Sequence, residues 1–270
     1  MPSSTAFAKA ALAQGDAVVA TSRSAQSITE RLGTHDALLA VALDVTDEAQ
    51  AHHAVGAALE RFGRIDVLVN NAGYGLLGAV EEASAEEVRS LYDTNVFGLL
   101  NVTRAVLPSL RARRAGHVIN ISSLGGVRSS AGFGAYCSTK FAVEGLTEAL
   151  HAELAPLGIQ ATVVEPGYFR TEFLDTASLA VSPRVIDDYA ASAGAVREAA
   201  RRINLNQPGD PVRLAQAVMQ LASSPTPPLR LPLGTDTLQA IADKHAFVEG
   251  ETAQWRTLAA STDFPMTAAG

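Results

Sequence analysis

The chain has 270 residues, 47% of them hydrophobic and 18% charged, a globular composition that excludes a disordered polymer. Twenty-one Lys and Arg stand against 28 Asp and Glu, a net charge of −7, so no overall positive field recruits nucleic acid or an anionic membrane. The length suits one large hydrophobic core, and residues 1–270 read as a single domain.

In chain order, a helical period over Ala6–Gln14 leads to a short apolar run, Ala17–Thr21. Further strand-like runs follow at Leu38–Leu43, Ile65–Val69, His117–Ile121 and Gln160–Val164, with a late one at Leu229–Leu233. Between them the pattern predicts helices over Asp47–Phe62, Ser84–Leu110 and Gly134–Leu157, then over Val185–Arg202 and Val212–Ala222. Asp47 and Ser84 are suited to cap their helices, and Glu87 stands three residues after Ser84 as in a capping box. Strands of continuous apolar character separated by helices of this length predict parallel crossovers covered on both faces. The fold class is therefore α/β, a doubly wound parallel sheet.

Such sheets bind ligands at the carboxyl ends of their strands. Those ends carry Asp44, Asn70-Asn71-Ala72-Gly73, Ser122-Ser123 and Pro166-Gly167. Small and polar residues at four strand ends predict a site for a polar ligand lying across one edge. Strand Ala17–Thr21 is followed by Ser22-Arg23-Ser24, with no acidic residue to take an adenosine 2′-hydroxyl. An arginine at that place suits a 2′-phosphate.

These residues carry a resemblance. From about Phe7 to Leu233 the chain resembles the classical short-chain dehydrogenase/reductase family. The marks are Asp44 after a strand, the Asn-Asn-Ala-Gly loop, Asn95 in a long helix, Ser123 thirteen residues before Tyr136, and Lys140 four after it. Pro166-Gly167 with Thr171 resembles the family's segment ahead of its substrate lid. The resemblance implies a Rossmann-like oxidoreductase that interconverts a secondary alcohol and a carbonyl compound with NADP, or NAD. Its catalytic residues would be Asn95, Ser123, Tyr136 and Lys140. Its cofactor-binding residues would be Arg23, Asp44, Val45, Asn71, Ala72, Gly73, Tyr136, Lys140, Pro166, Gly167, Phe169 and Thr171.

The chemistry fits that spacing. Tyr136 and Lys140 lie four apart on one helix and share a face. A lysine cation there is expected to lower the phenol from its ordinary value near 10, readying it for proton transfer. Ser123 would polarise the substrate oxygen. By resemblance, Lys140 also holds the nicotinamide ribose and Asn95 a relay water.

One element departs from the family. Its opening strand and Gly-x-x-x-Gly-x-Gly turn have no counterpart before the helix at Ala6. The pyrophosphate would lose backbone donors, and a central strand would be lacking, leaving its neighbours unpaired unless they close on each other. Three readings follow: a chain that starts inside the motif, a short protein with altered cofactor binding, or a non-catalytic Rossmann-like protein that binds partners. Intact Ser123, Tyr136 and Lys140 favour an enzyme.

Other residues are bland. Cys137 faces away from its neighbour Tyr136 and lacks a paired base, and the six histidines show no metal-ligand spacing. Arg111, Arg113 and Arg114 read as a solvated helix end. The longest uncharged run, Leu214–Leu229, is broken by Pro225, Pro227 and Pro228 and falls short of the roughly 18–20 apolar residues of a membrane span. A single cysteine and no visible leader predict a cytoplasmic protein. Residues 168–206 are expected to form a substrate lid and 250–270 a C-terminal tail. Phe169, Phe173, Leu174, Leu179, Val181 and Tyr189, with Tyr74, Leu76 and Leu77, predict a pocket for a small apolar alcohol or ketone. The family resemblance also implies a homo-oligomer built through the helices Ser84–Leu110 and Gly134–Leu157.

Overall fold

The computed structural model describes residues 2–175 and 178–264, leaving out the side chains of residues 2–4 and 172. Its elements are α1 (Pro2–Gln14), β1 (Val18–Ser22), α2 (Ala25–Leu32), β2 (Leu38–Ala42), α3 (Glu48–Phe62), β3 (Val67–Asn70), β4 (Gly75–Leu77), α4 (Ala85–Tyr92) and α5 (Gly98–Arg113). They continue with β5 (Gly116–Ile121), α6 (Gly134–Leu154), β6 (Ile159–Pro166), β7 (Leu179–Val181), α7 (Ala195–Ile203), α8 (Pro211–Ala222), β8 (Arg230–Leu233) and α9 (Thr235–Ala260).

All strand pairs are parallel, as the crossover helices require. The main sheet runs β3-β5-β6-β8, with His117 of β5 opposite Val67 and Gln160. Alternate residues of β5 feed opposite layers. Ile119 packs with Phe7 of α1 and Leu214 and Val218 of α8, whereas Val118 packs with Val106 and Leu110 of α5 and Leu150 of α6. Helices cover both faces, which makes the fold Rossmann-like α/β as expected. The two expected helix starts are present: Asp47 accepts from Ala49 N and Gln50 N, and Ser84 with Glu87 forms a reciprocal capping box.

The sheet is in two parts. β1 pairs only with β2, and among the described residues no ladder joins β1 to β3. β1 and β3 have therefore not closed on each other. Val55 of α3 packs both on the cluster around Val41 and Leu43 and on the cluster beneath Leu68, so helices rather than backbone hydrogen bonds hold the parts together. The expectation of strands buried on both faces holds for β5 and β6 but not here: β1 is only half-buried, and Val67 of β3 is 37% exposed.

Three other expectations are corrected. The single helix over Ser84–Leu110 is interrupted by a π-helical turn, Asp93–Phe97, between α4 and α5. The helix placed at Val185–Arg202 starts at Ala195, after a 3₁₀ turn at Asp187–Tyr189 and a second π turn at Ala190–Gly194. The supposed tail is helical as far as Ala260, because α9 begins at Thr235; residues 265–270 lie outside the described residues, as do 176–177 of the lid. The small β4–β7 sheet that pins the lid, with Gly75 opposite Leu179, is too short for periodicity to show.

Candidate active site

The ends of β3 and β5 meet at the N-terminal half of α6. β5 ends at Ile121, and Ser123 turns the chain by accepting from Gly125 N at 3.0 Å, which starts the 3₁₀ turn Leu124–Gly126. α6 then passes Tyr136 and Lys140 beneath that turn, both buried at 7% exposure. Gly125 lies between Tyr136 and Ser123: a Cβ there would sit 3.3 Å from Tyr136 Cε1 and 3.5 Å from Ser123 Oγ. Lys140 Nζ donates to Ile121 O at 2.9 Å and stands 5.9 Å from the centre of the Tyr136 ring.

Asn95 enters from the π turn, which widens the helix locally and aims a buried amide inward. Its Oδ1 accepts from Tyr74 N at 3.0 Å, while its Nδ2 donates to Tyr74 O at 2.9 Å and Thr139 Oγ1 at 3.1 Å. Both amide donors are thereby used, leaving one acceptor lone pair on Oδ1. Gly73 closes the group, since a Cβ there would lie 3.1 Å from Asn95 Oδ1 and 3.8 Å from Lys140 Nζ. Asn95, Ser123, Tyr136 and Lys140 therefore share one site.

The electrostatic expectation is overturned. Burial pushes the Tyr136 phenol above its ordinary value, and the neighbouring Ser123 hydroxyl opposes this only in part. Lys140 is itself pulled down to about 8 by burial. Desolvation outweighs the lysine charge because Nζ is turned toward a backbone carbonyl rather than toward the phenol oxygen. In this structure Tyr136 is a neutral phenol with a proton to give.

The residues expected to bind cofactor divide. Asn71, Ala72 and Gly73 follow β3 directly. At the ends of β1 and β2, Arg23 acts electrostatically on Asp44, whose carboxylate is held below its ordinary range mainly by the hydroxyl and backbone N–H of Thr46. Val45 places its carbonyl 3.0 Å from Asn101 Nδ2, so its main chain braces α5. Pro166 ends β6, and Asp236 accepts from Tyr168 N at 2.6 Å beside a bare Gly167. Thr171 Oγ1 accepts from Phe173 N at 3.3 Å. Phe169 stands apart: its ring presses on Gly209 and packs onto the core around Leu214.

On the substrate side, Phe173 lies 5.4 Å from the Tyr136 ring and Phe133 6.1 Å from it. Leu76, Leu77 and Leu179 are buried behind them, but Val181 is exposed and Tyr189 turns outward to donate to Glu81 Oε2 at 2.8 Å. Alongside lies a cavity of about 260 Å³ lined by Tyr74, Leu76 and Ala180, but also by Ser84, Glu86, Glu87 and Ser90. The lining is more polar than the lid sequence implied. Sequence reasoning also missed Glu82, fully enclosed on Arg197 of α7 and on the N–H groups of Ala79 and Ile186. Among the described residues no cluster of three or more His, Cys, Asp or Glu could hold a metal, and no helix is long and apolar enough to cross a membrane.

Comparison with known proteins gives the family. The profile of the short chain dehydrogenase family matches residues 4–181. The oxidoreductase BOA17 of Botryotinia fuckeliana is 38% identical over 94% of this chain and 92% of its own, and the 3-ketodihydrosphingosine reductase of Bacteroides thetaiotaomicron is 38% identical over 82% and 80%. A short-chain dehydrogenase from Streptomyces avermitilis superposes with a TM-score of 0.88 at 40% identity, covering 96% of this chain and 93% of that one. ElxO, solved with NADP bound, superposes with a TM-score of 0.70 at 26% identity, covering 87% and 93%. The chain belongs to the short chain dehydrogenase family and is an oxidoreductase of that type.

Proposed function

We propose that the protein interconverts a small, largely apolar secondary alcohol and its ketone or aldehyde, using NADP in preference to NAD. The observation that carries the proposal is the convergence of Ser123, Tyr136, Lys140 and Asn95 beside the bare backbone of Gly73. NADP-bound relatives such as ElxO support the cofactor, and Arg23 beside Asp44 supports a 2′-phosphate.

The residues present fit the two ends of such a cofactor. Asn95 Oδ1, with its spare lone pair, and Lys140 Nζ both stand close to Gly73 at the end of β3, an acceptor and a donor for the polar nicotinamide end, while Gly167 lets Asp236 close on the end of β6. Asn71, Ala72, Gly73, Tyr136, Lys140, Pro166, Gly167 and Thr171 would hold the nicotinamide end, and Arg23, Asp44 and Val45 the adenosine end. Phe169 would act only through its backbone, since its ring is spent on packing. When bound, the cofactor supplies or accepts the hydride.

The chain supplies the proton and the fit. In the reductive direction Ser123 donates to the substrate carbonyl oxygen, and Tyr136 passes its phenolic proton to that oxygen as negative charge develops there. Lys140 stabilises the resulting phenolate, and Asn95 fixes Tyr74 and Thr139 around it. Phe173 and Phe133 exclude water from the phenol. A second copy of the chain would cover Phe97 and Phe141, 52% and 42% exposed on the expected oligomer helices. A reducing compartment such as the cytoplasm suits the single buried thiol.

The test is Tyr136→Phe assayed with NADPH and a panel of aliphatic and aromatic ketones. Turnover should fall by at least about 10²-fold with an unchanged circular dichroism spectrum. Wild-type-like turnover would refute the assignment.

A further inference from the structure

One buried cluster has no part in the chemistry so far. Tyr136, Lys140 and Glu144 step along α6 at intervals of four, so all three line one buried face. Glu144 is 5% exposed and lies beneath the Ser122–Gly126 turn, where a Cβ on Gly126 would come within 3 Å of both Glu144 Oε1 and Ser122 Oγ. Across from it Glu165, 1% exposed at the end of β6, and Arg230 of β8 complete the group. A single nitrogen, Arg230 Nη1, bonds both Glu144 Oε2 and Glu165 Oε1, the latter at 2.9 Å, while Nη2 turns outward to Glu148.

Two carboxylates on one nitrogen are forced close together, and like charges at that range do not both ionise easily. The remaining oxygens agree: Glu165 Oε2 is buried with no hydrogen-bond partner among the described residues, and Glu144 Oε1 has only the Ser122 hydroxyl beside it. A proton on one carboxyl would supply a missing donor. We propose that Glu144 and Glu165 share one proton over Arg230, and that Glu144 is a positioning residue whose negative charge sustains the cation of Lys140. Burial and Glu165 raise the Glu144 carboxyl to about 7, against the opposing pull of Ser122 and Arg230, and Glu144 in turn opposes the loss of charge that burial imposes on Lys140. The groups facing Glu144 are Lys140 and Glu148 on α6, Glu165 on β6 and Arg230 on β8. The site's sensitivity to pH is then set behind the catalytic face. The role in turnover rests on the proposed function of Lys140; the shared proton does not.

The chain has only three lysines, Lys9, Lys140 and Lys244, so carbon-13 lysine NMR resolves Lys140 directly. In Glu144→Gln its titration midpoint should fall by about one pH unit, while Glu144→Asp restores it and Glu148→Gln leaves it in place. An unchanged midpoint in Glu144→Gln overturns the proposal. Should that variant fail to fold, Glu165→Gln tests the pair directly: with the like charge gone, the Glu144 side-chain carboxyl followed by carbon-13 NMR should titrate lower than in the wild type, and an unchanged or higher value overturns the shared proton equally. The alkaline limb of the pH–rate profile should follow the NMR midpoint. If the midpoint moves and the limb does not, the proton pair stands and the catalytic reading of Lys140 fails.

Discussion

His117 offers a test of the core that needs no substrate. It sits on β5 between β3 and β6, is 5% exposed, and places Nε2 2.9 Å from Thr162 Oγ1. The Thr162 hydroxyl gives its one hydrogen to Pro228 O at 2.6 Å, so it accepts from His117, and the imidazole is the neutral Nε2–H form. Burial pulls this histidine from 6.5 to about 4. A depressed base adds stability that is complete above 6.5 and is lost as pH falls toward 4, because only the unfolded chain takes up the proton easily. At about 1.4 kcal/mol per tenfold, the effect is about 3 kcal/mol. Glu144 works in the opposite sense over nearly the same range. Its raised carboxyl adds stability that is complete below its ordinary 4.5 and is lost as pH rises through about 7. The wild-type stability curve should therefore look flatter than either group alone would make it. Urea unfolding at pH 4, 5, 6 and 7 should show the gap between wild type and His117→Gln changing by about 3 kcal/mol across the series. In proton NMR, the His117 resonance should stay that of a neutral imidazole as pH falls through 6.5 toward about 4. A constant gap, or a His117 resonance titrating near 6.5, would refute the reasoning.

Three further outcomes follow from named contacts. Glu82→Ala removes the acceptor for Ile186 N, Ala79 N and Arg197 together, so amide exchange at Ile186 and through α7 should accelerate while exchange in β5 and β6 does not; uniform acceleration would mean that Glu82 holds the whole fold rather than the lid. In the cofactor-free protein the Tyr136 phenol should ionise above 10; an ultraviolet titration step below that value, absent from Tyr136→Phe, would contradict the burial argument. Leu110 is fully enclosed against Val118 and Gly116, so Leu110→Ala should cost about 2–5 kcal/mol in urea unfolding, and a loss under 1 kcal/mol would show that the α5 layer collapses into the space.

The amino-acid order by itself determined the alternation of strands and helices, the two helix caps and the ends of the strands. Each depends on neighbours within a few residues: apolar runs, a serine or aspartate ahead of a helix, a glycine after a strand. The spacing of Ser123, Tyr136 and Lys140 was legible for the same reason, since one strand end and one helical turn bring them to a single face. The direction of the Tyr136 shift was not, because it depends on how much protein surrounds the phenol and where Nζ points, and the sequence records neither. The π turn that aims Asn95 looks like ordinary helix in its pattern, and three-residue strands such as β4 and β7 have no period to detect. Tertiary structure alone showed that β1 and β3 remain apart and that α3 bridges the two parts of the sheet through Val55. It alone gathered Glu144, Glu165 and Arg230 from three separate elements onto one nitrogen, a meeting set by the register of β6 against β8 and by the rotation of α6 above them.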